Sequence, residues 1–187
     1  EAAGRMGLAV LETRTSSTRG HVVGIAVSSE SGSARYIPVG HTGLTDQPNL
    51  SEAAVFGRLA AVLTNPAVAK IGHDLKPTIL AAARHGVTIA GISLDTMIAS
   101  YLLDATSSSH SLEALALERA SYRATSAEEV QGKGVKALAL DRVPPVSMLP
   151  LACDRAELPL RVADALSEAL RTEGLDAVYR DIEQPLL

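Results

Sequence analysis

The stretch Met6-Gly7-Leu8-Ala9-Val10-Leu11-Glu12-Thr13 decides how this chain folds. Side chains alternate along a strand, so Leu8, Val10 and Glu12 share one face while Ala9 and Leu11 share the other. Both faces are apolar up to Glu12, which is the pattern of a central strand covered on both sides. Such a strand needs neighbours, and two follow. Residues 21–28 form a second apolar run rich in β-branched side chains, and residues 34–39 a third, entered through the turn Ser29-Glu30-Ser31-Gly32-Ser33. Three strands joined by short polar turns make an antiparallel meander.

Beyond residue 50 the pattern changes to alternation. Ser51 is placed to cap a helix running to about Thr64. Residues 68–72 read as a short strand. Pro77 suits the first turn of a helix that ends near Gly86. A very short strand at 92–94 leads into a helix over 95–103, and another helix covers about 111–119. Residues 121–145 read as a polar excursion. Helical periodicity returns over about 146–171, stops at Gly174 and restarts towards the end, with a break expected near Pro159 because an interior proline costs ~3 kcal/mol. A meander followed by strand–helix alternation implies a mixed α/β sheet with helices on both faces.

Composition narrows the classes. The chain has 187 residues, of which 47% are hydrophobic and 20% charged, enough for one sizeable domain. Aromatic residues make up only 3%, so Ala, Leu and Val must build the core. The lone Cys153 excludes an internal disulfide and a cysteine zinc site, suits a reducing compartment, and reads as a small core residue. No apolar run approaches the ~20 residues of a membrane span, and the first residues do not read as a signal peptide. The formal net charge of −4 argues against a domain that grips duplex DNA through a broad basic surface.

Three places carry candidate chemistry. Glu12 ends the first strand, where a carboxylate either reaches solvent or is buried with a partner. Lys70-Ile71-Gly72-His73-Asp74-Leu75-Lys76-Pro77-Thr78 runs from a strand into a helix start, and helix starts attract anions; the same segment also reads as a capped, solvated turn. Pro150 and Asp154 stand four apart on one helix among apolar neighbours, where an Asp either caps or points into a cleft.

Taken in order, these segments resemble the proofreading 3′→5′ exonuclease domain of bacterial family A DNA polymerase I over essentially the whole chain. Ala9-Val10-Leu11-Glu12-Thr13 stands where the family has F-D-T-E-T, and residues 70–78 where it has K-x-G-Q-N-x-K-Y-D. Val23-Gly24-Ile25-Ala26, Tyr36-Ile37-Pro38-Val39, Leu94-Asp95-Thr96-Met97, Ser100-Tyr101 and His110-Ser111-Leu112 follow in the family's order. So do Glu128-Glu129-Val130-Gln131-Gly132-Lys133-Gly134 and the tail Ile182-Glu183-Gln184-Pro185-Leu186, which in the family leads into a polymerase domain. The resemblance implies a ribonuclease H-like fold, one exonuclease-like domain over residues 1–187, and hydrolysis by two divalent metals held by four acids.

Carried over position by position, that site is broken. The first-strand Asp is Val10 and the second-motif Asp is Thr78; Glu12 and Asp154 survive, while the Tyr that orients water is Pro150. Ser16 and Ala127 stand where the family wedges apolar side chains against the terminal base. Two ions ~3.5–4 Å apart need several carboxylates around them. The expectation is therefore a vestigial exonuclease with no catalytic set intact and no cofactor, binding metal weakly at most through Glu12 and Asp154. Its implied partner is the polymerase domain of the same chain, in a bacterial cytoplasm and associated with the nucleoid. Two alternatives stand beside it. One is an active exonuclease on single-stranded DNA ends using Mg²⁺ or Mn²⁺. The other is a non-cleaving single-strand binder through Lys70, His73, Lys76 and Lys133, with Arg84 and Lys136 nearby.

Overall fold

The computed structural model describes residues 4–14, 20–43 and 49–187. Its centre is a five-stranded mixed sheet in the order β3-β2-β1-β4-β5. Strands β1 (Arg5–Arg14), β2 (Gly20–Glu30) and β3 (Ser33–Pro38) form the antiparallel meander. Strands β4 (Ala69–Gly72) and β5 (Ile92–Asp95) add to the other side of β1 in parallel. The strand read as central from its two apolar faces is the middle strand of the sheet.

The alternation in β1 sorts the core. Leu8 and Val10 face helix α1 (Glu52–Leu63) and helix α2 (Lys76–Arg84), where Phe56, Leu63, Ala81 and Ala82 are buried. Leu11 points to the opposite face, against Met148, Leu151, Ala152 and Ala156 of the long helix α6 (Pro145–Thr172). Further along α6, Leu160, Val162 and Leu166 close over Ile71, Leu94 and Ala99, the last in helix α3 (Thr96–Leu103), and over Leu115 of helix α4 (Leu112–Ala120). Each fully buried aliphatic side chain contributes roughly 1.5–3 kcal/mol. The helices therefore lie on both faces, as the pattern implies.

Two expectations about elements need correction. The expected break near Pro159 is absent: α6 runs unbroken from Pro145 to Thr172 with both Pro150 and Pro159 inside it. Pro159 is buried between Leu158 and Leu160, so packing on the sheet holds the helix through the lost amide. The polar excursion is not wholly irregular. It contains α5 (Ala127–Gln131), opened by a capping box in which Ser126 and Glu129 exchange side-chain-to-backbone hydrogen bonds.

After Gly174 the chain resumes as a short α-turn, α7 (Asp176–Val178), then a π-helical turn over Tyr179–Glu183 and a 3₁₀ turn over Gln184–Leu186. This tail lies along the outer side of β5: the Tyr179 hydroxyl accepts from the Asp95 amide at 2.6 Å, and the Gln184 side-chain amide donates to the Ile92 carbonyl. Among the described residues, no helix is long and apolar enough to cross a membrane.

Candidate functional site

Parallel strands aim their C-terminal ends at a common edge, where α/β sheets place their sites. Here β4 pairs with β1 only through Arg5, Met6 and Gly7. Beyond Gly7 the two strands separate, and the outward amide of Val10 has no strand partner. Thr78, two residues into α2, supplies one: the Val10 N–H donates to Thr78 Oγ1 at 3.1 Å. Thr78 is buried at 2% exposure, so this hydroxyl is committed to the backbone. The two positions that the family resemblance assigns to lost acids are thus brought together in space, and they satisfy each other.

Glu12 lies one step past a bulge, where the β1–β2 register skips Val23. Its carboxylate rests against Gly20, where a Cβ would collide with it, and 3.8 Å from the guanidinium of Arg84. Glu12 also borders a cleft of about 390 Å³ lined by Leu11, Ala127, Gln131, Leu140, Leu151 and Arg155. Asp154 is absent from that lining. Its carboxylate is buried, accepting from the Tyr122 hydroxyl at 3.1 Å and from the Thr125 amide at 2.7 Å. Asp154 lies inside α6 and so does not cap a helix start, and the amide it accepts from belongs to the loop before α5. Pro150, the position of the water-orienting Tyr, is exposed, and Ala127 lines the cleft; Ser16 lies outside the described residues.

The residues present do not match a two-ion centre. Val10 offers no ligand, Thr78 is engaged with the Val10 amide, and each Asp154 oxygen already accepts one hydrogen bond. Among the described residues, no group of three or more His, Cys, Asp or Glu is placed to hold a metal ion.

The candidate nucleic-acid residues fare unevenly. Lys70 is corrected outright: it is fully buried in β4, its ammonium donates to the Asn65 carbonyl at 2.6 Å, and burial lowers its pKa. His73 is no standing cation either. Burial, followed by the nearby charges of Arg155 and His110, lowers its pKa from 6.5 to about 3, so it is neutral at physiological pH. Lys76 is exposed at the start of α2, and Lys133 is exposed but 3.3 Å from Glu128. Arg84 and Lys136 are also at the surface.

Several polar residues escaped the sequence reading. Asp95 is fully buried and accepts from four amides, those of Asp74, Leu75, Met97 and Ile98, so one carboxylate fixes both the β4–α2 turn and the start of α3. Burial raises its pKa, against the pull of those amides. Glu157, also buried, takes Ser31 and Gly32 of the β2–β3 turn and a two-point pair with Arg161, which lies 4.8 Å over the Tyr122 ring. His41 joins the Tyr36 hydroxyl at 2.7 Å to the Val143 carbonyl at 2.8 Å. Only the spacing of Glu157 and Arg161, four apart on one helix, gave a signal in advance.

A mixed sheet of this order, closed by helices on both faces and open in a cleft between the end of β1, α5 and α6, defines an exonuclease-type ribonuclease H-like domain. The chain belongs to the family described as DNA polymerase I, ribonuclease H-like domain, whose model matches residues 20–143; this is the 3′→5′ exonuclease domain of family A polymerases. It is 32% identical over 186 residues to DNA polymerase I of Pseudomonas aeruginosa and 30% identical over 167 residues to that of Chloroflexus aurantiacus, covering 96% and 89% of this chain. The chain spans only 20% and 17% of those relatives. Among solved structures, the Pol1 POL domain of M. smegmatis in complex with DNA primer-template and dNTP superposes with a TM-score of 0.67 at 24% identity, over 97% of this chain and 26% of that one. Brucella melitensis NrnC gives 0.69 at 18% identity, over 92% and 76%, and Escherichia coli RNase D gives 0.63 at 14%, over 91% and 40%. At these identities the structures share the fold.

Proposed function

We propose that this exonuclease domain has lost its chemistry and serves as a structural support for template-directed DNA synthesis by a polymerase domain of the same longer chain. One observation carries the reading: the Val10 amide and the Thr78 hydroxyl bond to each other where the family resemblance places two metal-binding carboxylates. Removing one positioned charge from a catalytic constellation costs ~10²–10³-fold in rate, and losses within one working unit do not simply add. Here two donors are gone and a third, Asp154, is held by Tyr122 and Thr125. The domain then needs no metal or other cofactor. Such a protein would work in the bacterial cytoplasm beside the nucleoid, with DNA reaching it through the polymerase.

The test is degradation of a 5′-labelled single strand in Mg²⁺ and in Mn²⁺. The expected result is no shortening above the no-enzyme control. Robust metal-dependent shortening that disappears in Glu12→Ala would overturn the reading. In the longer protein, deleting this domain is expected to lower the stability or extension length of the polymerase. Unchanged melting and extension would remove the supporting role.

A further inference from the structure

His41 pins the segment that follows β3 to the segment that precedes α6. Its ring is buried, at 5% exposure, and both nitrogens are engaged: Nδ1 lies 2.8 Å from the Val143 carbonyl and Nε2 lies 2.7 Å from the Tyr36 hydroxyl. A carbonyl oxygen only accepts, so the proton of the neutral ring sits on Nδ1. Nε2 then accepts from Tyr36 of β3. The backbone around the ring is tied as well. The His41 amide donates to Asn49 Oδ1 at 3.0 Å, and Asn49 Nδ2 donates to the His41 carbonyl at 2.7 Å. Next in the chain, the Thr42 amide donates to the Asp141 carbonyl at 2.8 Å, and the Thr42 hydroxyl to the Asp141 carboxylate at 2.7 Å. His41 and Thr42 together therefore hold the 3₁₀ turn Leu140–Arg142 and the residue after it, and Leu140 lines the cleft beside Glu12.

We propose that His41 is an acid-sensitive latch: its neutral ring holds the Leu140–Arg142 turn, and with it one wall of the cleft, and a proton taken up on Nε2 releases the turn. Donor counting explains why. The protonated ring carries two N–H donors. Val143 still accepts one, but the other now meets the Tyr36 O–H proton. Tyr36 must turn that proton away, and its oxygen rests against β2, where a Cβ on Gly24 would come within 2.3 Å. Among the described residues the hydroxyl has no second hydrogen-bond partner, so its proton is left unmatched. Burial also disfavours the charged ring and lowers the His41 pKa, against the opposing pull of the Val143 bond and the Asp141 charge. The titratable and charged groups around the ring come from three elements: Tyr36 from β3, His21 of β2, which lies against Gly40, and Asp141 and Arg142 from the turn itself. Asn49, Val143 and Pro144 bring no charge. Because the released ring binds its proton more tightly than the latched one, the hold is complete above pH 6.5. It weakens as pH falls below that value, by up to about 10-fold per pH unit. The latch is independent of whether the cleft has kept its chemistry, since none of its hydrogen bonds involves Glu12, Thr78 or Asp154.

The experiment is amide hydrogen exchange of the 187-residue chain, followed residue by residue by NMR at pH 7.0 and pH 5.0 and corrected for the intrinsic rate. The amides of Thr42, Arg142 and Val143 bond to or within the held turn and report its opening. Amides of β2 report global opening and set the baseline. Protection at the three amides is expected to fall at pH 5.0 by at least ~3-fold more than the baseline. The ring nitrogens give a second readout: a proton on Nδ1 alone at pH 7.0, and a doubly protonated ring where the turn opens. His41→Gln removes the titrating group, and its three amides are expected to follow the baseline, whatever their protection at pH 7.0. Asp141→Asn keeps an acceptor for Thr42 and removes the anion, so the opening is expected to persist at a lower pH. Protection that follows the β2 baseline in the parent overturns the proposal, as does a proton on Nε2 alone at pH 7.0. An extra loss that survives in His41→Gln, or one that vanishes altogether in Asp141→Asn, assigns the response to another group and overturns it too.

Discussion

At the scale of single residues, the contact between Val10 and Thr78 ties the centre of the sheet to the start of α2. Thr78→Val removes the acceptor and leaves a half-buried amide unsatisfied, a loss of about 1–3 kcal/mol. Thr78→Ser keeps the oxygen and is expected to lose much less. Urea unfolding of the two variants measures the difference, and equal losses would mean the hydroxyl is idle. His73 sets a second expectation. Its folded pKa of about 3 lies below the ordinary 6.5, so the unfolded chain binds the extra proton between those values. Stability from this group is present above pH 6.5 and declines as pH falls towards 3, by at most about 1.4 kcal/mol per pH unit. In His73→Gln the melting temperature is expected to fall less between pH 6.5 and 4.5 than in the parent. Residue identity was legible at these positions because β1 and the β4–α2 turn are short, rigid and matched in order. The use of each side chain was less so. Lys70 reads as a surface cation from its type, but its place in a covered parallel strand buries it; Asp154 reads as a ligand or a helix-start cap, and its partners Tyr122 and Thr125 come from a loop distant in sequence.

Elements are governed by how closely α6 approaches the sheet. A Cβ on Gly7 would sit 1.9 Å from the Ala156 carbonyl oxygen and 3.1 Å from Leu160, so strand and helix backbones meet there directly. Gly7→Ala must push them apart, at about 3 kcal/mol or more. Gly57, in the middle of α1 with nothing within 4 Å of its would-be Cβ, is the contrast: Gly57→Ala is expected to stabilise by ~0.5–1 kcal/mol. Chemical denaturation of both variants tests the pair, and a tolerated Gly7→Ala would contradict the close approach. The strands and helices of the sheet were readable because each carries its own period. The unbroken α6 was not, because the local cost of Pro159 is outweighed by packing distant in sequence. Helix α5 was within reach: Ser126-Ala127-Glu128-Glu129 is a capping-box pattern hidden inside a polar stretch.

At the scale of the whole molecule, a shared frame joins the cleft to the tail. Tyr179 holds the Asp95 amide, the Asp95 carboxylate holds the β4–α2 turn, and that turn leads to Thr78 and β1. Glu157, in the middle of α6 and paired with Arg161, binds the β2–β3 turn. Apart from the Glu157–Arg161 spacing, none of these links carries a sequence signature, because the rest join residues that meet only when the sheet is assembled. Among the described residues every buried side-chain polar group has a hydrogen-bond partner, and buried acids such as Asp95 and Glu157 act as struts.

The most direct test of that account is a calorimetric titration of the chain with Mn²⁺ at neutral pH. The account predicts at most one ion, bound more weakly than about 1 mM. Two ions bound tightly, and lost together in Glu12→Ala, would contradict it.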